Sequence, residues 1–177
     1  KHFAGFIGAP ILMQYVVEID FRRQVLRLID PEQYAAPADA IRIPFELQDD
    51  LPVVRAGVDA GSGAFEARLM VDTGAGSVFV DLNRPFVDRH QLVDVLATTS
   101  SDRPAGIGAT APFLYGTGKQ VRLGGLTFDR PRLGLSRATA GSSASDRRDG
   151  VIGNQLLRAF LTTFDYRRRQ LVLQPQR

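Results

Sequence analysis

The chain repeats itself. Residues 4–28 align without a gap on residues 149–173, with about nine identical positions that include Gly5/Gly150, Gly8/Gly153, Asp20/Asp165 and Leu28/Leu173. Each copy reads as a glycine-bounded apolar strand, a short helical turn, and a hairpin whose bend carries Asp-aromatic-Arg-Arg: Asp20-Phe21-Arg22-Arg23 in one, Asp165-Tyr166-Arg167-Arg168 in the other. Two similar but unrelated hairpins are the plainer account; a duplicated structural unit explains more of the identities. The second copy closes a long segment, whereas the first has almost nothing before it. Either a preceding domain lies outside this sequence, or the first copy serves the remaining domain as an extra layer of sheet. Residues 30–39 (Asp-Pro-Glu-Gln-Tyr-Ala-Ala-Pro-Ala-Asp) are small, polar and proline-bearing, which predicts a linker. The expected organisation is therefore a repeat hairpin and linker over residues 1–36 and a domain over residues 37–177.

The domain reads as all-β. Ten prolines and 17 glycines are scattered between short apolar runs, and 44% hydrophobic content over 177 residues suffices for a core. Ile41, Ile43, Phe45 and Leu47 alternate with polar or small residues, as do Phe65, Ala67, Leu69 and Val71. Residues 53–58 and 65–71 flank Asp59-Ala60-Gly61-Ser62-Gly63, a hairpin with a glycine-permitted turn. Asn83 before Arg84-Pro85-Phe86 predicts the cap of a short helix running toward Leu92. Further strands are expected at 120–123, 127–128, 132–135, 161–166 and 170–173, and residues 138–148, rich in Ser, Ala and Gly, as a flexible surface loop.

Several function classes fall away. With no cysteine there is neither a disulfide nor thiol catalysis. His2 and His90 are the only histidines and form no HExxH pattern, so no zinc site is expected. The net charge of +3 is dispersed, and its densest points, Arg22-Arg23 and Arg167-Arg168-Arg169, read as solvated hairpin turns, with an acidic partner or membrane surface as the alternative. No basic stripe interleaved with aromatics supports nucleic-acid binding. No apolar run has the length of a membrane span.

The chemistry concentrates at Asp72-Thr73-Gly74-Ala75, immediately after the apolar run Leu69-Met70-Val71. A strand delivers the aspartate into a tight turn, where glycine lets the backbone approach a substrate closely. Val78-Phe79-Val80 follows as another strand. Much later comes Gly150-Val151-Ile152-Gly153-Asn154-Gln155-Leu156-Leu157, two small-residue-bounded aliphatics running into a short helix. This pair of motifs, with an Asp-Tyr hairpin after them, resembles the retropepsin-like and pepsin-like aspartic proteases, and most of all the bacterial retropepsin-like group, some of which carry two lobes in one chain. The resemblance covers residues 41–177 as one lobe, and residues 3–30 look like the tail of another.

The resemblance implies a retropepsin-like acid protease barrel lobe with one or two short helices, acting as an endopeptidase on a peptide or protein substrate bound as an added strand. In that family two aspartates from two symmetric lobes hold one water. Like charges so close cannot both ionise, so the pair shares a proton. The ionised partner takes a proton from the water, which attacks the scissile carbonyl, and the protonated partner stabilises the oxyanion, so the resemblance implies neither a metal nor an organic cofactor. Asp72 would supply one carboxylate, Thr73 would reach to the opposing lobe's turn, and Gly74 would contact the substrate backbone. Ala75 stands where pepsin-like enzymes place a hydroxyl that bonds the aspartate, which predicts a pH optimum less acidic than pepsin's. Gly106, Ile107 and Gly108 within Pro104-Ala105-Gly106-Ile107-Gly108-Ala109-Thr110 are the candidate flap over the substrate, an ordinary surface loop being the alternative.

Two departures bear on the partner. Retropepsins continue the first motif with an aspartate, where this chain has Gly76, and follow the second glycine with an arginine, where it has Asn154. Those charges help tie the viral homodimer, so their absence points toward a two-lobe parent. A homodimer remains the other source of the second aspartate. The contrasting function is a non-catalytic peptide-binding or interaction module that keeps the fold. The lack of cysteine is compatible with any compartment, and the resemblance to bacterial proteases only weakly favours a periplasmic or otherwise extracytoplasmic location.

Overall fold

The computed structural model of the chain describes residues 7–76, 78–104 and 110–176. In order the elements are α1 (Ala9–Gln14), β1 (Val16–Asp20), β2 (Val25–Ile29), β3 (Ile41–Pro44), β4 (Glu46–Gln48), β5 (Leu51–Asp59), β6 (Ala64–Val71), β7 (Val80–Leu82), α2 (Arg84–Arg89), α3 (Leu92–Val95), β8 (Thr99–Pro104) and β9 (Thr110–Thr117). There follow β10 (Gln120–Leu123), β11 (Leu126–Asp129), β12 (Arg132–Ser136), a 3₁₀ turn (Ser142–Ala144), β13 (Gly150–Ile152), α4 (Asn154–Leu157), β14 (Phe160–Asp165) and β15 (Gln170–Pro175). The protein is mostly β with a few short helices, and among the described residues no helix is long and apolar enough to cross a membrane. The chain forms two compact units, one of residues up to Pro52 together with those from Leu157 onward, the other Val53–Leu156.

The first unit is a five-stranded sheet in the order β2-β1-β14-β15-β3. The hairpins of both repeat copies lie in it, side by side. Strand β1 pairs antiparallel with β14 in the register Val17↔Phe164, Glu18↔Thr163, Ile19↔Thr162. Under the repeat, Thr162 corresponds to Val17 and Phe164 to Ile19, while Glu18 faces its own counterpart. The two hairpins are therefore related by a local twofold axis through the Glu18–Thr163 pair, the arrangement expected when two like strands pair antiparallel about their centres.

The hairpin bends repeat in detail. Arg23 donates its backbone N–H to Asp20 Oδ1 and its guanidinium to Asp20 Oδ2, both at 3.0 Å; Arg168 does the same to Asp165, also at 3.0 Å. The residue closing each bend, Gln24 or Arg169, has positive φ (57° and 51°), which brings the chain back into register as an antiparallel strand. Beyond the hairpins, the two corresponding positions each meet the other copy's bend, but by different bonds. Pro31 O accepts from Arg168, and its counterpart Gln176 donates to Asp20 Oδ1. The hydrophobic alternation from Ile41 takes β3 onto the outer edge of β15, and Phe45 follows with its ring against Tyr166 at 5.3 Å.

In the second unit, period-two burial holds β5 against β6: Val54, Ala56 and Val58 are buried on one, Ala67, Leu69 and Val71 on the other. Asp59 Oδ1 accepts the amides of Gly61 and Gly63 and so shapes the turn between them. The strand order runs β11-β10-β5-β6-β13-β7-β12-β9-β8. Its central feature is β13, which lies between β6, to which it is parallel, and β7, to which it is antiparallel, so that Ile152 sits opposite both Val71 and Val80. Gly150 is required by that threading, because a Cβ there would stand 2.2 Å from Asp81 O.

One local expectation differs in its chemistry. Helix α2 does follow Asn83, but the Asn83 side chain does not cap it. The buried amide instead donates to Ser142 O, Ser145 O and Arg148 O, at 3.2, 3.3 and 2.9 Å. Three carbonyls left without strand partners in the 138–148 loop outcompete the first-turn amides, and that loop is pinned at its centre and its end.

Candidate active-site loop

The loop that carries Asp72 is set by the two strands it joins and by the strand between them. Asp72 leaves the end of β6 with its N–H donated to Ile152 O at 2.9 Å, which fixes the start of the loop on β13. The Ala75 N–H then donates to Asp72 O at 3.2 Å and the Gly76 N–H to Gly74 O at 3.0 Å, two tight turns in succession. Asp72 is partly exposed, and Thr73 and Gly74 are exposed. The Gly74 N–H donates to Asp72 Oδ1 at 2.7 Å, leaving Oδ2 without a donor among the described residues.

The segment after β13 clamps the far side of the loop. Asn154 donates its backbone N–H to Ala75 O at 3.0 Å and its side-chain Nδ2 to Thr73 O at 2.7 Å, and Gln155 N–H reaches Val78 O at 2.8 Å. Gly153 makes this approach possible. A Cβ there would lie 2.5 Å from Ala75 O and 2.6 Å from Val78 Cβ, distances no side chain tolerates. Thus the two motifs that stand far apart in sequence form one hydrogen-bonded unit.

Asn154 is the residue that sequence reasoning undervalued. In the sequence it stands out only as a missing charge, yet it holds the loop by two hydrogen bonds, and its Oδ1 is buried without a partner among the described residues. The available signal was the repeat itself, since Ala9 stands at the corresponding position of the first copy and carries no amide.

Asp72, Thr73, Gly74 and Ala75 are thus brought together on one loop. The candidate flap residues Gly106, Ile107 and Gly108 lie outside the described residues. The strands flanking them, β8 and β9, pair from Thr99↔Tyr115 to Pro104↔Thr110. A shallow concavity of about 420 Å³ in this unit is lined by Arg84, Pro85, Asp88, Ala138, Thr139 and Ala144 and does not include Asp72. Asp72 stands on an open, partly exposed loop rather than in an enclosed cleft. His90, stacked on Phe65 at 3.9 Å and against Phe86, is pushed below the ordinary histidine range by burial and serves packing.

No protein-family model matches the chain, and no curated protein matches it significantly.

Proposed function

We propose that this chain is a lobe of an aspartic endopeptidase of the retropepsin-like type, with Asp72 as one carboxylate of the catalytic pair. The observation that carries the reading is the clamp: β13 runs between the strands on either side of Asp72, and Gly153-Asn154 ties the backbone on both sides of Gly74. Such anchoring holds a carboxylate at the fixed position that water activation needs, because a misplacement of about 1 Å costs on the order of a hundredfold in rate.

The chemistry requires a second carboxylate. The sequence contains one Asp-Thr-Gly, so the other aspartate comes from another lobe. Between the two, one shared proton leaves one group able to take a proton from water while the other donates to the carbonyl oxygen under attack. Thr73 and Gly74 are exposed, which supports a reading in which they meet the partner turn and an extended substrate.

The test is cleavage of an unstructured protein between pH 3 and 7 by the protein purified from its own host, beside the Asp72→Asn variant. The substitution keeps the side chain's size and its oxygen for the Gly74 amide but removes the base. Cleavage is expected to fall by about a thousandfold or more. Activity that survives the substitution rules out Asp72 as the catalytic carboxylate.

A further inference from the structure

The two hairpin bends share an aspartate and differ in what lies beside it. Next to the second copy's bend, Asp30 accepts the Glu32 amide on Oδ1 and the Gln33 amide on its carbonyl, both at 2.9 Å, a turn that folds the chain back on itself. The Glu32 carboxylate pairs there with Arg167, and Pro31 O accepts from Arg168 at 3.2 Å. At the first copy's bend the corresponding residues, Arg22 and Arg23, border a cavity of about 470 Å³ together with Asp20, Leu161 and residues 174–176. Continued along the sequence, the repeat sets Gln176 against Pro31 and Arg177 against Glu32, a cation in place of the anion.

The charged groups bordering the cavity are Asp20, Arg22 and Arg23, two cations to one anion. Asp20 is already met by the amides of Arg22 and Arg23 at 3.1 and 3.0 Å, by the Arg23 guanidinium at 3.0 Å and by Gln176 Nε2 at 3.0 Å. It is a satisfied carboxylate, and an excess positive charge remains. Gln176 is in the opposite condition. With Nε2 given to Asp20, its Oε1 is buried and has no partner among the described residues. A buried acceptor left so is destabilising until a donor reaches it. Because Gln176 and Arg23 bond the same carboxylate, the orphaned acceptor and the excess positive charge stand side by side.

We propose that this cavity binds the C-terminal residue of an extended peptide, its carboxylate on Arg22 and Arg23 as Glu32 lies on Arg167, and its amide N–H donated to Gln176 Oε1. Guanidinium groups take carboxylates through charge-assisted hydrogen bonds, and capture of a chain terminus is a recurring mode of peptide recognition. The counterpart bend indicates a carboxylate as the anion, and the orphaned Oε1 calls for an N–H next to it. A C-terminal residue carries both. An amidated terminus brings the N–H without the charge, and acetate or inorganic phosphate the charge without the amide. The inference stands on the cavity and the repeat and not on the chemistry of Asp72, and its test reads no activity.

An NMR titration of the full chain with N-acetylglycine, N-acetylglycinamide, acetate and inorganic phosphate as the probes provides the test. N-acetylglycine is expected to bind saturably and to shift the amide signals of residues 20–23, 174 and 176. Each of the other three is expected to bind at least about tenfold more weakly. Arg22→Gln, altered at an exposed position, is expected to keep its melting midpoint and to lose about tenfold in affinity for N-acetylglycine. In Gln176→Met the other donors to Asp20 remain, and N-acetylglycine is expected to bind no better than acetate, whose own affinity is unchanged. The absence of saturable shifts at these residues overturns the inference. So does amide, acetate or phosphate binding as tight as that of N-acetylglycine, or an Arg22→Gln variant that binds like wild type.

Discussion

Asn154 illustrates how one amide can do work that a charge comparison misses. Its Nδ2–Thr73 hydrogen bond is worth about 1 kcal/mol net, but its Oδ1 is buried and unpartnered, which offsets part of that gain. Replacement by alanine removes both the bond and the orphaned atom, so Asn154→Ala is expected to lower the melting midpoint by only about 2–4 °C. Asn154→Asp keeps the size, cannot donate, and sets a carboxylate against the Thr73 carbonyl; its midpoint is expected to fall further. Calorimetry of the two variants checks the order, and an aspartate variant as stable as wild type would deny the bond a structural role. Position 154 was legible as a departure from a family pattern. The tie to Thr73 was not, because nothing in sequence places two such distant residues in contact.

At the scale of elements, the Asp-aromatic-Arg-Arg bends were readable because an aspartate that accepts the amide three residues ahead is a local device. The Arg23 amide, and then its guanidinium and the Gln176 side chain, hold the Asp20 carboxyl down to about 2 against the opposing effect of burial. An unfolded aspartate titrates near about 3.9. The folded state thus prefers the ionised form, and this stabilisation is complete above about pH 4 and lost as pH falls toward 2. Asp20→Asn is expected to lower the melting midpoint at pH 5 and to flatten its decline between pH 4 and 2. Superimposable declines for the two proteins would assign the acid sensitivity elsewhere. The Asn83 amide marks the opposite case. Its position before α2 suggested a cap, but three carbonyls of a loop distant in sequence claimed it.

For the whole molecule, the consequential contacts join distant parts of the chain. Strand β1 meets β14, β3 meets β15, and β13 enters between β6 and β7. Loop closure must precede the gain from such pairings, so refolding is expected on the millisecond-to-second scale typical of β proteins with non-local topology. Stopped-flow fluorescence of the four tyrosines would measure it, and relaxation in microseconds would be incompatible with this topology. The sequence by itself determined the β class, the alternating strands, the hairpin bends, the duplication and the strand-end position of Asp72, since each is written in residues close together along the chain. Only the tertiary structure decided that the two copies pair about a shared centre, that β13 threads between β6 and β7, and that β2 is left as an open apolar edge. Those outcomes depend on which edges and which glycine-permitted approaches bury the most apolar surface once the whole chain is present, a sum that no local pattern contains.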